Sequence, residues 1–164
     1  MGIRDQFTPE QWKSIYNAPY AAATYVAAAS GDVYQLGREE SKFNKLIKRQ
    51  VEKGGESGYG ALVDAILADM KAMSRKEEKA LALKYEGNWI ESRRSTAWIA
   101  LESAVKATAS LPGKDGFKQW LWDVGKAAAE ASKSGFAGLG GVSVDAQEQI
   151  ALNDLARLFC LKQP

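Results

Sequence analysis

Three carboxylates stand beside the glycine-interrupted junctions of this 164-residue chain: Asp32 after Ser30-Gly31, and Asp145 and Glu148 after a glycine-rich run. Carboxylate oxygens are the ligands that a hard cation such as Mg²⁺ or Ca²⁺ takes, provided that the fold brings them within reach of one another. Asp145 and Glu148 also have the spacing of a capping box, in which the first residue caps a helix and the second reaches back to it. What is missing narrows the chemistry further. The chain has no histidine, which removes Ser-His-Asp and Cys-His nucleophiles, imidazole acid–base work and histidine-bound zinc. Its one cysteine, Cys160, rules out an internal disulfide and a multi-thiolate metal site. In its apolar Leu158-Phe159-Cys160-Leu161 context, the thiol is expected to be an inert packing residue. Carboxylate, lysine or tyrosine catalysis survives these exclusions, but no motif points to it, and the chain is expected not to be an enzyme.

A second group of residues is marked by shape. The run Gly135-Phe136-Ala137-Gly138-Leu139-Gly140-Gly141 separates two helical stretches and precedes a helix start, where free N–H groups would suit an anion. It follows no strand and lacks the Gly-Lys-Ser/Thr ending of a phosphate loop, so a structural connection that tucks Phe136 and Leu139 into the core is the other reading. Aromatic residues gather elsewhere: Trp12, Tyr16, Tyr20 and Tyr25 fall close together around Pro19. Such rings can line a pocket or a partner-binding groove, or simply pack. Trp98 and Trp120 read as core anchors. Lys42, Lys45, Lys48, Arg49 and Lys53 share a segment with Phe43, Leu46 and Ile47, but interspersed glutamates make this a solvated helix face more readily than a nucleic-acid surface.

The elements that would position these groups are all helical. Thr8-Pro9-Glu10-Gln11 has the cap, the first-turn proline and the capping-box glutamine of a helix start, and Pro19 is expected to end or kink that helix near Asn17 and Ala18. Further helices are predicted over 39–53, 59–73, from Ser74 toward Tyr85, over 89–110, from Phe117 to near Lys133, and from Asp145 onward. Their apolar stripes carry Phe43 and Ile47, Leu62 to Met70, Ala97 to Val105, Phe117 to Ala128, and Leu152 to Phe159. No segment alternates with period two, so the fold class is all-α, a single-domain helical bundle of about six to eight helices.

With 22 basic and 20 acidic residues, the balance of charge favours neither nucleic acid nor an anionic membrane. No stretch has the length and apolarity of a membrane span, and the first residues lack a signal-peptide core, so a cytoplasmic location is expected. Phe7-Thr8-Pro9-Glu10-Gln11-Trp12-Lys13 with Ala18-Pro19, and Phe117 to Val124 with Gly135 to Asp145 and Glu148, resemble the two ends of a family of uncharacterised bacterial all-helical proteins. That family looks like a distant relative of the TerB-like helical domains of tellurite resistance. The resemblance implies a stress-response role and cation binding by acidic residues near glycine turns, here Asp32, Asp145 and Glu148. The residues themselves favour a non-enzymatic helical module that binds an unknown protein or small molecule without a cofactor. Its candidate surface is Trp12, Tyr16 and Tyr20 together with Gly135, Phe136, Gly138 and Gly140.

Overall fold

The computed structural model describes residues 2–29, 31, 33–86, 90–131 and 146–162, except for the side chains of residues 33–35 and 38. These residues form a short 3-10 turn (Ile3–Gln6) and seven α-helices. The helices are α1 (Pro9–Ala27), α2 (Val33–Lys53), α3 (Ala61–Ala72), α4 (Arg75–Leu81), α5 (Ile90–Thr108), α6 (Lys114–Ala131) and α7 (Ala146–Leu158), with no strand among the described residues. The architecture is the all-α bundle that the helical periodicity predicts.

The first helix is the axis of the bundle. Thr8 caps it: Thr8 Oγ1 accepts from the Gln11 amide at 3.2 Å, and Gln11 Oε1 accepts from the Thr8 amide at 2.9 Å. Twelve of its 19 residues are buried, too many for one apolar stripe, so the helix must be covered on several sides. Its alanines supply the means, because small side chains let neighbouring helices come close. α5 and α6 pack along it most extensively, with α2, α7 and α4 completing the enclosure. α5 answers with Ala97, Ala100 and Ala104, and α6 with Phe117, Trp120, Leu121 and Val124.

Pro19 does not end this helix, which runs unbroken to Ala27. A proline inside a helix removes the amide that would bond the carbonyl four residues earlier, at a cost of about 3 kcal/mol. Burial of both halves of α1 in the core outweighs that cost. Other boundaries also moved. α2 begins at Val33 rather than Glu39, α3 at Ala61 after Gly60, and α4 stops at Leu81 well short of Tyr85. Gly54 ends α2 with φ +51, as a helix C-terminus favours.

Cys160 is exposed rather than packed. It closes α7 as the left-handed residue of a Schellman motif, with φ 54. The Leu161 amide bonds the Ala156 carbonyl at 2.8 Å and the Cys160 amide bonds that of Arg157 at 3.1 Å. Phe159, one residue earlier, takes the buried position instead.

Candidate ligand-binding cleft

Spacing along α1 places Tyr16, Tyr20 and Thr24 one turn apart on a single face. Tyr16 and Thr24 are buried and Tyr20 is partly exposed on this face, and a cleft of about 470 Å³ opens beside it. α2 forms one wall through Glu40, Phe43, Asn44 and Lys48; α4 and the segment after it form the other through Glu78, Lys79, Leu83 and Tyr85; Arg93 of α5 closes one end. A smaller lobe of about 240 Å³ continues past Tyr16 and Tyr20, between Lys48, Val51 and Glu52 on α2 and Met70, Lys71 and Arg75 on the facing side. Tyr16, Tyr20, Lys48 and Glu78 line both lobes, so the two meet at the tyrosine pair.

The wall after α4 has no helical hydrogen bonds to hold it, and Asn17 supplies the anchor. Its Nδ2 donates to the carbonyls of Lys13 and Leu81, both at 2.8 Å, and its Oδ1 accepts from the Leu83 amide at 3.2 Å. The side chain is 3% exposed, where an amide with unmet hydrogen bonds would be costly. At the closed end, Arg93 Nη1 meets Glu40 Oε1 at 2.6 Å, and its guanidinium lies 5.1 Å from the centre of the Tyr85 ring. Both groups are partly shielded, which makes this pair firmer than an exposed ion pair.

The tyrosines are kept neutral. The Tyr16 and Tyr20 rings lie 5.9 Å apart and tilted by 43°. Burial pushes both phenols above the ordinary tyrosine value, Tyr20 the more strongly, and the Glu78 carboxylate adds to each rise. Burial also raises the Tyr85 phenol, with Glu40 adding to the rise while the Thr24 hydroxyl and Arg93 oppose it. Neutral phenols offer a hydrogen-bond donor and a ring face, and they do not serve as bases near neutral pH.

The structure separates the residues that the sequence grouped. Tyr16 and Tyr20 form the floor of the cleft, but Trp12 does not join them, being 1% exposed. The 3-10 turn folds back over the first turn of α1 and covers it: Phe7 stacks on Trp12 at 6.5 Å, and Arg4 lies 5.9 Å from its ring. The Arg4 amide, bonded to Asp69 Oδ2 at 2.8 Å, ties that turn to α3. Gly135, Phe136, Gly138 and Gly140 lie outside the described residues, as do Asp32 and Asp145. Glu148 is wholly buried on α7, away from the water that most Mg²⁺ and Ca²⁺ sites retain. Among the described residues, no group of three or more histidine, cysteine, aspartate or glutamate side chains is arranged to hold a metal ion. Of the three carboxylates that the resemblance names, Glu148 alone is among the described residues.

Sequence reasoning passed over Phe43, Lys48, Tyr85 and Arg93 as cleft residues. Lys48 and Phe43 carried a readable signal, since they lie with Glu40, Asn44 and Glu52 along one side of α2. Tyr85 and Arg93 reach the cleft only through the tertiary fold. A second depression, also of about 470 Å³, lies around Tyr25, Arg94 and Trp98. Its groups already engage one another: Trp98 packs on Tyr25 at 5.0 Å, Arg94 lies 4.5 Å from the Tyr25 ring, and the Tyr25 hydroxyl donates to Asp154 at 2.9 Å. Trp98, expected in the core, is half-buried there and donates its Nε1–H to Glu102, whereas Trp120 is fully buried and bonded to Gln50 at 3.0 Å.

Comparison with known proteins gives no match: no family model, no curated protein and no solved structure is similar to the chain at a significant level. No described helix is long and apolar enough to cross a membrane.

Proposed function

We propose that this protein is a non-enzymatic binding module whose ligand is a small molecule held in the cleft between α1, α2 and α4. The observation that carries this reading is the tyrosine floor. Tyr16 and Tyr20 line a concavity of about 470 Å³, Tyr16 buried and Tyr20 partly exposed, within the range of ordinary ligand pockets. Polar groups that fix orientation converge on it from four helices, and the Asn17 anchor and the Arg93–Glu40 pair hold its walls in place. Such a preformed site loses little on binding, which favours affinity. A cytoplasmic setting suits a chain whose one thiol is exposed and unpaired.

Thermal unfolding in the presence of small aromatic compounds tests the proposal, because a ligand that binds only the folded state raises its stability. Compounds that raise the melting temperature of the wild type are expected to lose their effect on Tyr20→Ala. Equal stabilisation of both proteins would show that binding takes place elsewhere and would refute the assignment.

A further inference from the structure

The two lobes of the cleft differ in chemistry. The larger lobe offers Tyr20, Phe43, Leu83 and Tyr85, three rings and one aliphatic side chain, and is bordered as well by Lys79 and by the Arg93–Glu40 pair. The smaller lobe carries Lys48, Lys71 and Arg75 against Glu52 and Glu78, an excess of one positive charge. None of these three cations forms an ion pair among the described residues. Arg93, the cation at the far end, is already committed to Glu40. Phe43 and Tyr85 thus line the larger lobe alone and Lys71 and Arg75 the smaller one alone, with Lys48 and Glu78 shared between the two and Lys79 a further cation on the larger lobe.

Resting on the cleft assignment, we infer that the ligand is a small aromatic oxyanion, its ring among Tyr20, Phe43 and Tyr85 and its carboxylate or phosphate beside Lys48, Lys71 and Arg75. Offset or edge-on packing suits a ring among tilted aromatics. An oxyanion takes charge-assisted hydrogen bonds from lysine and arginine, the arginine in bidentate form. The volumes of the two lobes, about 470 and 240 Å³, fit a compact molecule rather than the face of a macromolecule.

Phenyl phosphate, inorganic phosphate and benzylammonium distinguish the possibilities when titrated into the wild type and into the double variant Lys71→Glu/Arg75→Glu, with tyrosine ring signals followed by NMR. Both replaced side chains are exposed, and an unchanged melting temperature confirms that the variant is folded. Phenyl phosphate is expected to move the Tyr20 and Tyr85 signals and to bind the double variant at least about tenfold more weakly, as loss of charged hydrogen bonds implies. Phenyl phosphate binding that is unchanged in the variant, benzylammonium binding more tightly to the wild type, or inorganic phosphate binding as well as phenyl phosphate would each overturn the inference while leaving the cleft a binding site. Should none of the three probes move the cleft tyrosines, the cleft assignment would fail along with it.

Discussion

Replacing Asn17 tests whether one buried amide holds the cleft wall. Asn17→Ala removes the acceptor of the Leu83 amide and the donor to the Leu81 carbonyl, the two bonds that tie the segment after α4 to α1. Each such bond contributes about 1 kcal/mol net, and more where the abandoned partner stays out of water. The loss is therefore about 2 kcal/mol, which for a chain of this size lowers the melting temperature by about 4–8 °C. Asn17→Asp is the sharper variant. It keeps an acceptor for Leu83 but sets a carboxylate against the carbonyls of Lys13 and Leu81, each 2.8 Å from the present Nδ2. Its destabilisation at neutral pH should exceed that of alanine and should ease in acid, where the carboxyl is protonated and can donate. Denaturant unfolding gives the free energies, and amide hydrogen exchange at Leu83 reports the wall itself. If Asn17→Ala stayed within about 0.5 kcal/mol of wild type and left Leu83 equally protected, the wall would owe its position to something other than Asn17.

Three further outcomes are expected. Gly116→Ala puts a methyl group 1.9 Å from the Tyr59 carbonyl oxygen, a backbone clash that should cost about 3 kcal/mol or more, measurable by chemical denaturation. Cys160→Gly should stabilise the protein by about 1 kcal/mol by relieving the left-handed conformation at φ 54, and should also abolish any oxidative cross-linking. Tyr20 and Tyr59 have phenols raised well above the ordinary value, both chiefly by burial, with Tyr59 also donating to Asp123 at 2.6 Å. Because the folded values exceed the unfolded ones, their contribution to stability is intact below a pH of about 10 and lost above it. Alkaline titration followed by tyrosinate absorbance should show these two ionising late and together with unfolding, and Asp123→Asn should bring the Tyr59 step to lower pH.

Local signals in the sequence foretold local structure well. The capping boxes at Thr8 and Ser74 form as their spacing requires, and the apolar stripes of α3, α6 and α7 are the buried ones, because both depend on residues within one or two turns. Failures lie where distant chain segments decide. Pro19 reads as an end or a kink of the helix, and the end does not occur, because the packing of α5 and α6 around α1 carries the helix through it. Trp12 shares the spacing of Tyr16 and Tyr20, and only the fold-back of the first residues onto α3 hides it. Cys160 lies in an apolar run, yet the Schellman turn shifts it to the surface. Half of the cleft was legible, namely the tyrosine floor on α1. The rest needs α2, the segment after α4 and the start of α5 brought together, and no single-segment pattern encodes that meeting.

The six tyrosines of the chain offer the most direct test of the central claim. Fluorine labels on the tyrosine rings give one NMR signal per residue, with Tyr16, Tyr20 and Tyr85 in the cleft, Tyr25 in the second depression and Tyr59 against α6. On titration with phenyl phosphate, the signals of Tyr16, Tyr20 and Tyr85 should move together along one binding curve while those of Tyr25 and Tyr59 stay in place. A spectrum in which Tyr25 moves and the cleft tyrosines do not would contradict the assignment of the binding site.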